Sequence, residues 1–349
     1  MHKRMTIFIL LMLGILAVLP QWPALSARLQ QVTTPIPVFL PMLGNGQNSP
    51  SPSPTPSIPP PTHYPEGMVV VDHYSVDLFE QLPSSVVQAA AAIPMMFSDR
   101  SVGENISAGL TCLSYPMASA PDYCKRPHYD PAYDVDPAVV SWSGTYDRSN
   151  WTFEFRQGTW DQLTEGFIQE LAPSYLNSKT VLTYQFSYLN VADNSTIADP
   201  QTGFFANTSR YADVYDLENW ISAHPSKIFF FWTTSLARNI GTQVATDFNA
   251  EMRQYALDRF NSGKATILFD VADILSHTPN GQPCYDNRDG VPYCDVNGCE
   301  NYPDDGINLP AICQEYTDNR DGGHLNTAGR IRIAKAYWVL MAQIAGWQQ

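Results

Sequence analysis

Asp321 and His324 stand three residues apart, directly before the last amphipathic stretch of the chain. A histidine can take the proton of a serine hydroxyl, and a carboxylate can orient that histidine and stabilise its charged form. The spacing lets one loop supply both groups. The alternative is a glycine-rich turn in which His324 only packs and Asn326 or Thr327 caps the following helix.

Ser101 is the candidate partner for this histidine. It follows the apolar run at residues 94–97, in a polar turn that continues to Gly103, and a helix is predicted to start near Asn105. A serine there would present its hydroxyl at the edge of a sheet, and N–H groups at a helix start stabilise an oxyanion. A serine in a strand-to-helix turn is more often a helix cap. Only together do Ser101, Asp321 and His324 indicate nucleophilic catalysis.

Alternating strands and helices must position these residues. Such alternation implies crossover connections and a mostly parallel sheet covered on both faces, with ligands at the carboxyl ends of the strands. The patterns predict strands at residues 68–71, 94–97, 139–142, 180–189, 227–236 and 265–274, and helices at 84–93, 159–171, 212–222, 242–262 and 326–347.

Composition limits the class of protein. The chain has 349 residues, 44% of them hydrophobic, which suffices for one well-buried core and is too little for two large enzymatic domains. The formal net charge is -14, and no basic run occurs beyond the first residues. We therefore expect no nucleic-acid partner, because phosphate binding needs clustered Lys and Arg.

The N-terminal residues have the pattern of an export signal. A short basic start precedes an apolar run of residues 6–19, and small residues near Ala27 offer a cleavage site. We predict a signal peptide at 1–27, a Pro/Ser-rich linker at 28–65 and one domain at 66–349. The alternative for the signal is an uncleaved anchor. With the signal removed, no membrane span is expected, and the protein would lie outside the cytoplasm.

Six cysteines in an exported chain indicate disulfides. Cys112–Cys124 is the most plausible pair. For the other four, which allow three pairings, the simplest choice is Cys284–Cys294 and Cys299–Cys313. Zinc is the weaker alternative because no Cys-x-x-Cys pair occurs.

A long acidic loop at residues 276–321 precedes His324, and we expect it to form one wall of the site. Its oxygen ligands suit calcium, although the spacing does not match a regular calcium loop. The alternative is a solvated loop held by disulfides. Its carboxylates are Asp286, Asp289, Asp295, Asp304, Asp305 and Asp318.

Residues 90–347 resemble the SGNH (GDSL-like) hydrolase superfamily, in an exported bacterial branch. The resemblance rests on Asp321-Gly322-Gly323-His324, on SVGENI at 101–106, on LFDVADILSH at 268–277 and on the closing segment. It implies a flavodoxin-like, three-layer α/β/α sandwich with a mostly parallel sheet. It also implies Ser101 as nucleophile, His324 as base and Asp321 as its partner, with no cofactor.

The chain departs from that family in two places. Instead of Gly-Asp-Ser-Leu it has Ser98-Asp99-Arg100-Ser101, so an alignment on Asp99 would put Arg100 at the nucleophile position; Ser101, before Val-Gly, is preferred. The oxyanion donors expected are the N–H groups of Ser101 and Gly144. The family's asparagine is missing after residues 227–236, where Thr234 or the more distant Asn239 is the candidate.

The function expected is an exported serine ester hydrolase that works through an acyl-enzyme. Its substrate would be an acylated polysaccharide, a lipid or a small ester, with acyl transfer as a variant, and one or two of Trp142, Trp151, Trp160 and Trp232 would line a sugar cleft. His277, at the end of a predicted strand, is a further candidate for substrate contact. The rival is a non-catalytic carbohydrate- or surface-binding module on the same fold. The sequence leaves the oligomeric state open.

Overall fold

The computed structural model describes residues 64–128, 146–238, 243–286, 290, 292–300, 302–320 and 322–348. All of them belong to the compact unit Thr55–Gln349. The expected signal peptide and nearly all of the expected linker lie outside the described residues, as does the strand expected at 139–142.

The described residues form short strands alternating with helices. No helix among them is both long and apolar enough to cross a membrane. The strands are β1 Val69–Val71, β2 Met95–Asp99, β3 Trp151–Phe155, β4 Val181–Tyr184, β5 Phe231–Trp232, β6 Ile267–Phe269, β7 Tyr293–Asp295 and β8 Gly298–Glu300. The helices are α1 Ser84–Ala92, α2 Val102–Ser114, α3 Trp160–Gly166, α4 Ala172–Tyr175, α5 Val214–Ala223, α6 Gln243–Asn261, α7 Val271–Leu275 and α8 Thr327–Ile344.

Strands β1 to β6 run parallel. β6 pairs with β1 on one side and β5 on the other, and β2 pairs with β3 and β4. A parallel bridge between Val181 and Ile228 joins β4 to the segment entering β5. The order is therefore β1-β6-β5-β4-β2-β3. After β2 the chain goes first to β3 on one side and then to β4 on the other, and ligands bind at such a reversal in parallel sheets.

Alternate strand residues face two separate hydrophobic clusters. Met95 and Phe97 of β2 belong to the cluster that contains α2 and α8, whereas Met96 belongs to the cluster that contains α3, α5 and α6. Side chains of a strand point alternately to opposite faces. The sheet is thus covered by helices on both faces, and the expected mixed α/β architecture with parallel strands is confirmed.

Three predicted strands are shorter than expected. The strand predicted at 227–236 is reduced to Phe231–Trp232. The strand predicted at 265–274 ends at Phe269, because the Asp270 side chain accepts from the Asp273 N–H and starts α7. The strand predicted at 180–189 ends at Tyr184, and a 3₁₀ turn follows at Tyr188–Val191. Strand β3 was not predicted, although its sequence Trp-Thr-Phe-Glu-Phe alternates aromatic and polar side chains as a half-buried strand does.

The disulfides confirm one expected pair and correct two. Cys112–Cys124 is present, but the other pairs are Cys284–Cys313 and Cys294–Cys299, not Cys284–Cys294 and Cys299–Cys313. The hairpin of β7 and β8 places Cys294 directly opposite Cys299.

The disulfide Cys284–Cys313 is positioned by α7. The N–H of Cys284 donates to the Ser276 carbonyl, and the N–H of Cys313 donates to the Leu275 carbonyl. Both cysteines are thereby held against the end of the helix. The sequence-based pairing was wrong because backbone hydrogen bonds to α7, which the spacing of the cysteines does not express, decide the partner of Cys284.

Helices α2 and α8 pack against each other at Gly109. A Cβ added to Gly109 would lie 2.0 Å from the carbonyl oxygen of Arg330 in α8. Residues Val102, Ile106, Leu110 and Leu113 of α2 are buried on the same side. Only glycine lets the two backbones approach this closely.

We predict that Gly109→Ala lowers the free energy of unfolding by about 2 kcal/mol, because the new methyl group forces α2 away from α8. Urea unfolding at neutral pH measures the loss. Gly166→Ala is the matched control, since no atom lies within 4 Å of its added Cβ, and it should stabilise by about 0.5 kcal/mol. Equal stability of wild type and Gly109→Ala would contradict the close packing.

Candidate active site

Ser101 has a strained backbone. It lies between β2 and α2 with φ 58° and ψ −83°, one of two non-glycine residues with positive φ among those described. Side chains with a Cβ avoid this region, at a cost of about 1–3 kcal/mol, and such strain concentrates at functional sites. A sharp strand-to-helix turn exposes the nucleophilic serine of α/β-hydrolases.

Gly103 makes this turn possible. A Cβ at Gly103 would lie 1.8 Å from Cγ of Asp99. The carboxyl group of Asp99 therefore packs directly against the first turn of α2. The Gly103 that follows Ser101 and Val102 is a steric requirement of the turn.

His324 meets Ser101 at hydrogen-bond distance. Oγ of Ser101 lies 2.9 Å from Nε2 of His324, although the two residues are 223 positions apart in the chain. The pair is open to solvent. The structure thus brings together the two residues that the sequence predicts as nucleophile and base. Asp321, the predicted third member, lies outside the described residues.

Gly322 and Gly323, the two residues before His324, are each required to be glycine for a different reason. Gly322 has φ +68°, a left-handed conformation that favours glycine. A Cβ at Gly323 would lie 2.8 Å from the hydroxyl of Tyr188, whose ring meets the His324 ring edge-on at 6.2 Å between centroids. The Gly-Gly step therefore lets the loop turn while the chain passes close to Tyr188.

Asn105 braces both halves of the pair. Its Nδ2 donates to the carbonyl of Ser101 at 3.3 Å, and its Oδ1 accepts from the N–H of Leu325 at 2.5 Å. Asn105 is buried on the first turns of α2. One carboxamide thereby connects the turn that carries Ser101 to the residue after His324.

A cleft of about 710 Å³, lined mostly by polar residues, includes Arg100, the residue before Ser101, but neither Ser101 nor His324. Leu189, which also lines it, follows Tyr188, the neighbour of His324. The wall is rich in hydroxyl and carboxamide groups and also carries two aromatic rings. Its lining comprises Arg100, Gly158, Thr159, Trp160, Asp161, Gln162, Leu189, Asn190, Asn194, Ser195, Thr196 and Tyr211.

Asp99 and Gln185 are buried polar residues that sequence reasoning missed. The next step of the β2–β4 register after Ser98–Tyr184 places them on neighbouring strands, with Asp99 3% exposed and Gln185 2% exposed. Oδ1 of Asp99 and both amide atoms of Gln185 lack a hydrogen-bond partner among the described residues. Burial, with the nearby Glu104 charge adding to it, raises the pKa of Asp99 to about 8.

The oxyanion donors are only partly described. The Ser101 N–H, at the start of α2, has no hydrogen-bond partner among the described residues. Thr234 is buried after β5, where its N–H and hydroxyl both face Oδ1 of Asn249 at 2.8 and 3.4 Å. That engagement does not favour Thr234 as a donor. Gly144 and Asn239 lie outside the described residues.

The acidic loop is tied to the candidate site by charge. Arg320, four residues before His324, lies 3.5 Å from Asp295 and 3.4 Å from Glu300 of the β7–β8 hairpin. Asp295, Asp304 and Asp305 each accept from the N–H group two residues ahead, as in local turns. Within the described ranges, none of the groups with metal-ligating geometry belongs to this acidic set. Calcium binding here stays a prediction, and Asp289 lies outside the described residues.

Comparison with known proteins finds no family model, no curated protein and no solved structure that matches this chain. What the protein does must therefore be inferred from its own residues and their geometry.

Asp99 predicts a specific pH dependence of stability. Its pKa in the folded protein, about 8, exceeds the ordinary 3.8, so the folded state binds a proton that the unfolded state releases. Stability should therefore fall as pH rises from about 4 to about 8 and level off above. In Asp99→Asn this fall should be absent, as measured by urea unfolding across that range.

Glu104→Gln serves as the control for this experiment. Burial is the larger cause of the Asp99 shift and the Glu104 charge the smaller, so this variant should retain most of the fall. An unchanged slope in Asp99→Asn would show that Asp99 is ionised in the folded protein.

Proposed function

We propose that this chain is an exported serine ester hydrolase of the SGNH type. The observation that carries the proposal is the 2.9 Å contact between Ser101 Oγ and His324 Nε2, on a strained turn beside a polar cleft. A buried structural serine would not need a disfavoured backbone conformation and a solvent-open histidine together.

The chemistry follows from the pair. Nε2 of His324 takes the hydroxyl proton as Oγ of Ser101 attacks the ester carbonyl. The Ser101 N–H, at the positive end of the α2 dipole, stabilises the oxyanion. His324 then returns the proton to the leaving alcohol, and water releases the acyl group by the same steps in reverse. Asp321 orients the imidazole.

The architecture and the cysteines support this class and its location. The order β3-β2-β4-β5-β6, with helices over both faces, suits a flavodoxin-like three-layer sandwich whose nucleophile follows the strand at the reversal. Three disulfides fit a protein that folds outside the cytoplasm. The export signal at 1–27 completes that proposal.

Kinetics with an activated acetate ester test the catalytic roles. Ser101→Ala and His324→Ala should each lower kcat by at least about 10⁴-fold, because each member of such a pair is needed for the other to act. Ser114→Ala is the control: its hydroxyl donates to the Thr111 carbonyl at the far end of α2, and its kcat should equal that of the wild type.

Two outcomes would contradict the proposal. Turnover retained in Ser101→Ala would place the nucleophile elsewhere. Binding of a polysaccharide by a folded wild-type protein that turns over no ester would favour the non-catalytic module.

The lining of the cleft supports an acylated sugar polymer with negative charge as the proposed substrate. Hydroxyl and carboxamide side chains, with the half-buried ring of Tyr211, are groups that bind sugars through hydrogen bonds and ring faces. The guanidinium of Arg100 has no hydrogen bond or ion pair to another described residue. Its guanidinium, next to the nucleophile, is positioned for a carboxylate near the ester.

We predict that Arg100→Gln lowers kcat/KM about 10-fold on an acetylated polyuronate, through loss of one charge-assisted hydrogen bond. The same variant should leave kcat/KM on acetylated xylan, a largely neutral polymer, unchanged. Acetate release measures both rates.

Arg210→Gln is the matched control, since Arg210 stacks on Tyr211 at the cleft rim and adds charge without adjoining Ser101. Equal losses on the two polymers in Arg100→Gln would refute charge recognition by Arg100.

A further inference from the structure

Asn105 reaches the backbone beside both members of the Ser101–His324 pair. It lies at the end of the first turn of α2, four residues after Ser101, and is 7% exposed. It is not among the described residues that line the cleft. A buried carboxamide offers donors and an acceptor that need partners inside the protein. Those partners are backbone groups of Ser101 and of Leu325, the residue after His324.

The carbonyl oxygen of Ser101 accepts two hydrogen bonds from Asn105. The backbone N–H of Asn105 and Nδ2 of its side chain both donate to it at 3.3 Å. The ψ angle of Ser101, −83°, orients this carbonyl and accompanies the disfavoured φ of 58°. Two donors from one residue therefore hold the strained turn in the conformation that places Oγ 2.9 Å from Nε2 of His324.

The N–H of Leu325 finds its acceptor in the same carboxamide. Oδ1 of Asn105 accepts from it at 2.5 Å, in a buried contact between residues 220 positions apart in the chain. A buried backbone N–H that lacks an acceptor costs free energy comparable to a lost hydrogen bond. Because this N–H belongs to the peptide group that joins His324 to Leu325, its position also sets that of the imidazole.

We propose that Asn105 is a positioning residue of the hydrolytic reaction, whose carboxamide fixes the distance between Oγ of Ser101 and Nε2 of His324. The proposal rests on the proposed serine hydrolase function and gives Asn105 no contact with the substrate. Apolar packing of α2 on α8 is not directional, whereas hydrogen bonds are. The two bonds of the carboxamide therefore supply the orientation that packing leaves open.

Steady-state kinetics of the full chain with an activated acetate ester test this role. Asn105→Ala removes both side-chain bonds, and a misplacement of about 1 Å lowers kcat about 100-fold. KM should stay within about 2-fold of the wild-type value, because the interactions lost are not made with the substrate.

Asn105→Asp provides the rescue. It keeps the size of the side chain and an acceptor for the Leu325 N–H, so kcat should recover to within about 10-fold of the wild type. A role in stability alone would give the opposite order of activities, because burying a carboxylate costs more than burying a methyl group.

Amide hydrogen exchange, resolved to single residues, tests the bond to Leu325 without any need for turnover. The Leu325 amide should exchange at least about 10-fold faster in Asn105→Ala than in the wild type or in Asn105→Asp. The rate is taken relative to that of the Ile333 amide in α8, so that a general loss of stability cancels.

Asn249→Ala is the matched control. Asn249 is 2% exposed and its Oδ1 accepts from the Thr234 N–H at 2.8 Å, so this variant loses a bond of the same kind and should keep the wild-type kcat. Turnover by Asn105→Ala at the wild-type rate, or an unchanged relative exchange rate at Leu325, would overturn the positioning role and leave the proposed function intact. A folded wild-type protein that turns over no ester would instead contradict the proposed function.

Discussion

The docking of α2 against α8 is the constraint on which the candidate site depends. α2 begins one residue after Ser101, and α8 begins three residues after His324. The distance between the two side chains is therefore set by how these helices pack, with Gly109 allowing backbone contact and Asn105 joining the two N-terminal ends. A small shift of α2 relative to α8 would lengthen the distance between Oγ of Ser101 and Nε2 of His324 beyond that of a hydrogen bond.

The rest of the fold offsets a loss of stability at the candidate site. Ser101 occupies a disfavoured backbone region, and Asp99 is a carboxyl group buried without a partner for Oδ1. Both features lower stability, and both lie in the short segment from Asp99 to Ser101. The two hydrophobic clusters and the disulfide Cys112–Cys124, which holds the far end of α2, offset them. Local strain and burial of polar groups are common where a rigid fold holds a functional side chain.

The sequence predicted what periodicity and residue chemistry can express. The long helices α6 and α8, the α/β alternation and the encounter of Ser101 with His324 follow from patterns visible in the chain. It did not predict residues whose role depends on a neighbour distant in sequence. Asn105 reads as an ordinary helical residue until the N–H of Leu325 is placed beside it, and Gln185 reads as part of a strand until its side chain is seen to be buried.

The disulfides show the same limit. Cys284 and Cys313 pair because Ser276 and Leu275 accept from their N–H groups, which no spacing rule contains. The motif Ser101-Val102-Gly103 allows one more prediction from the sequence. A glycine two residues after a strand-end serine indicates that another group packs against the first turn of the helix. Here that group is the carboxyl of Asp99.

The central claim is that Ser101 is a nucleophile activated by His324. The most direct measurement is a crystal structure of the protein after reaction with a fluorophosphonate. Our account predicts phosphorus bonded to Oγ of Ser101, a phosphonyl oxygen near the Ser101 N–H, and Nε2 of His324 within hydrogen-bond distance of the adduct. An unmodified Ser101 in a folded protein, or an adduct on another residue, would contradict it.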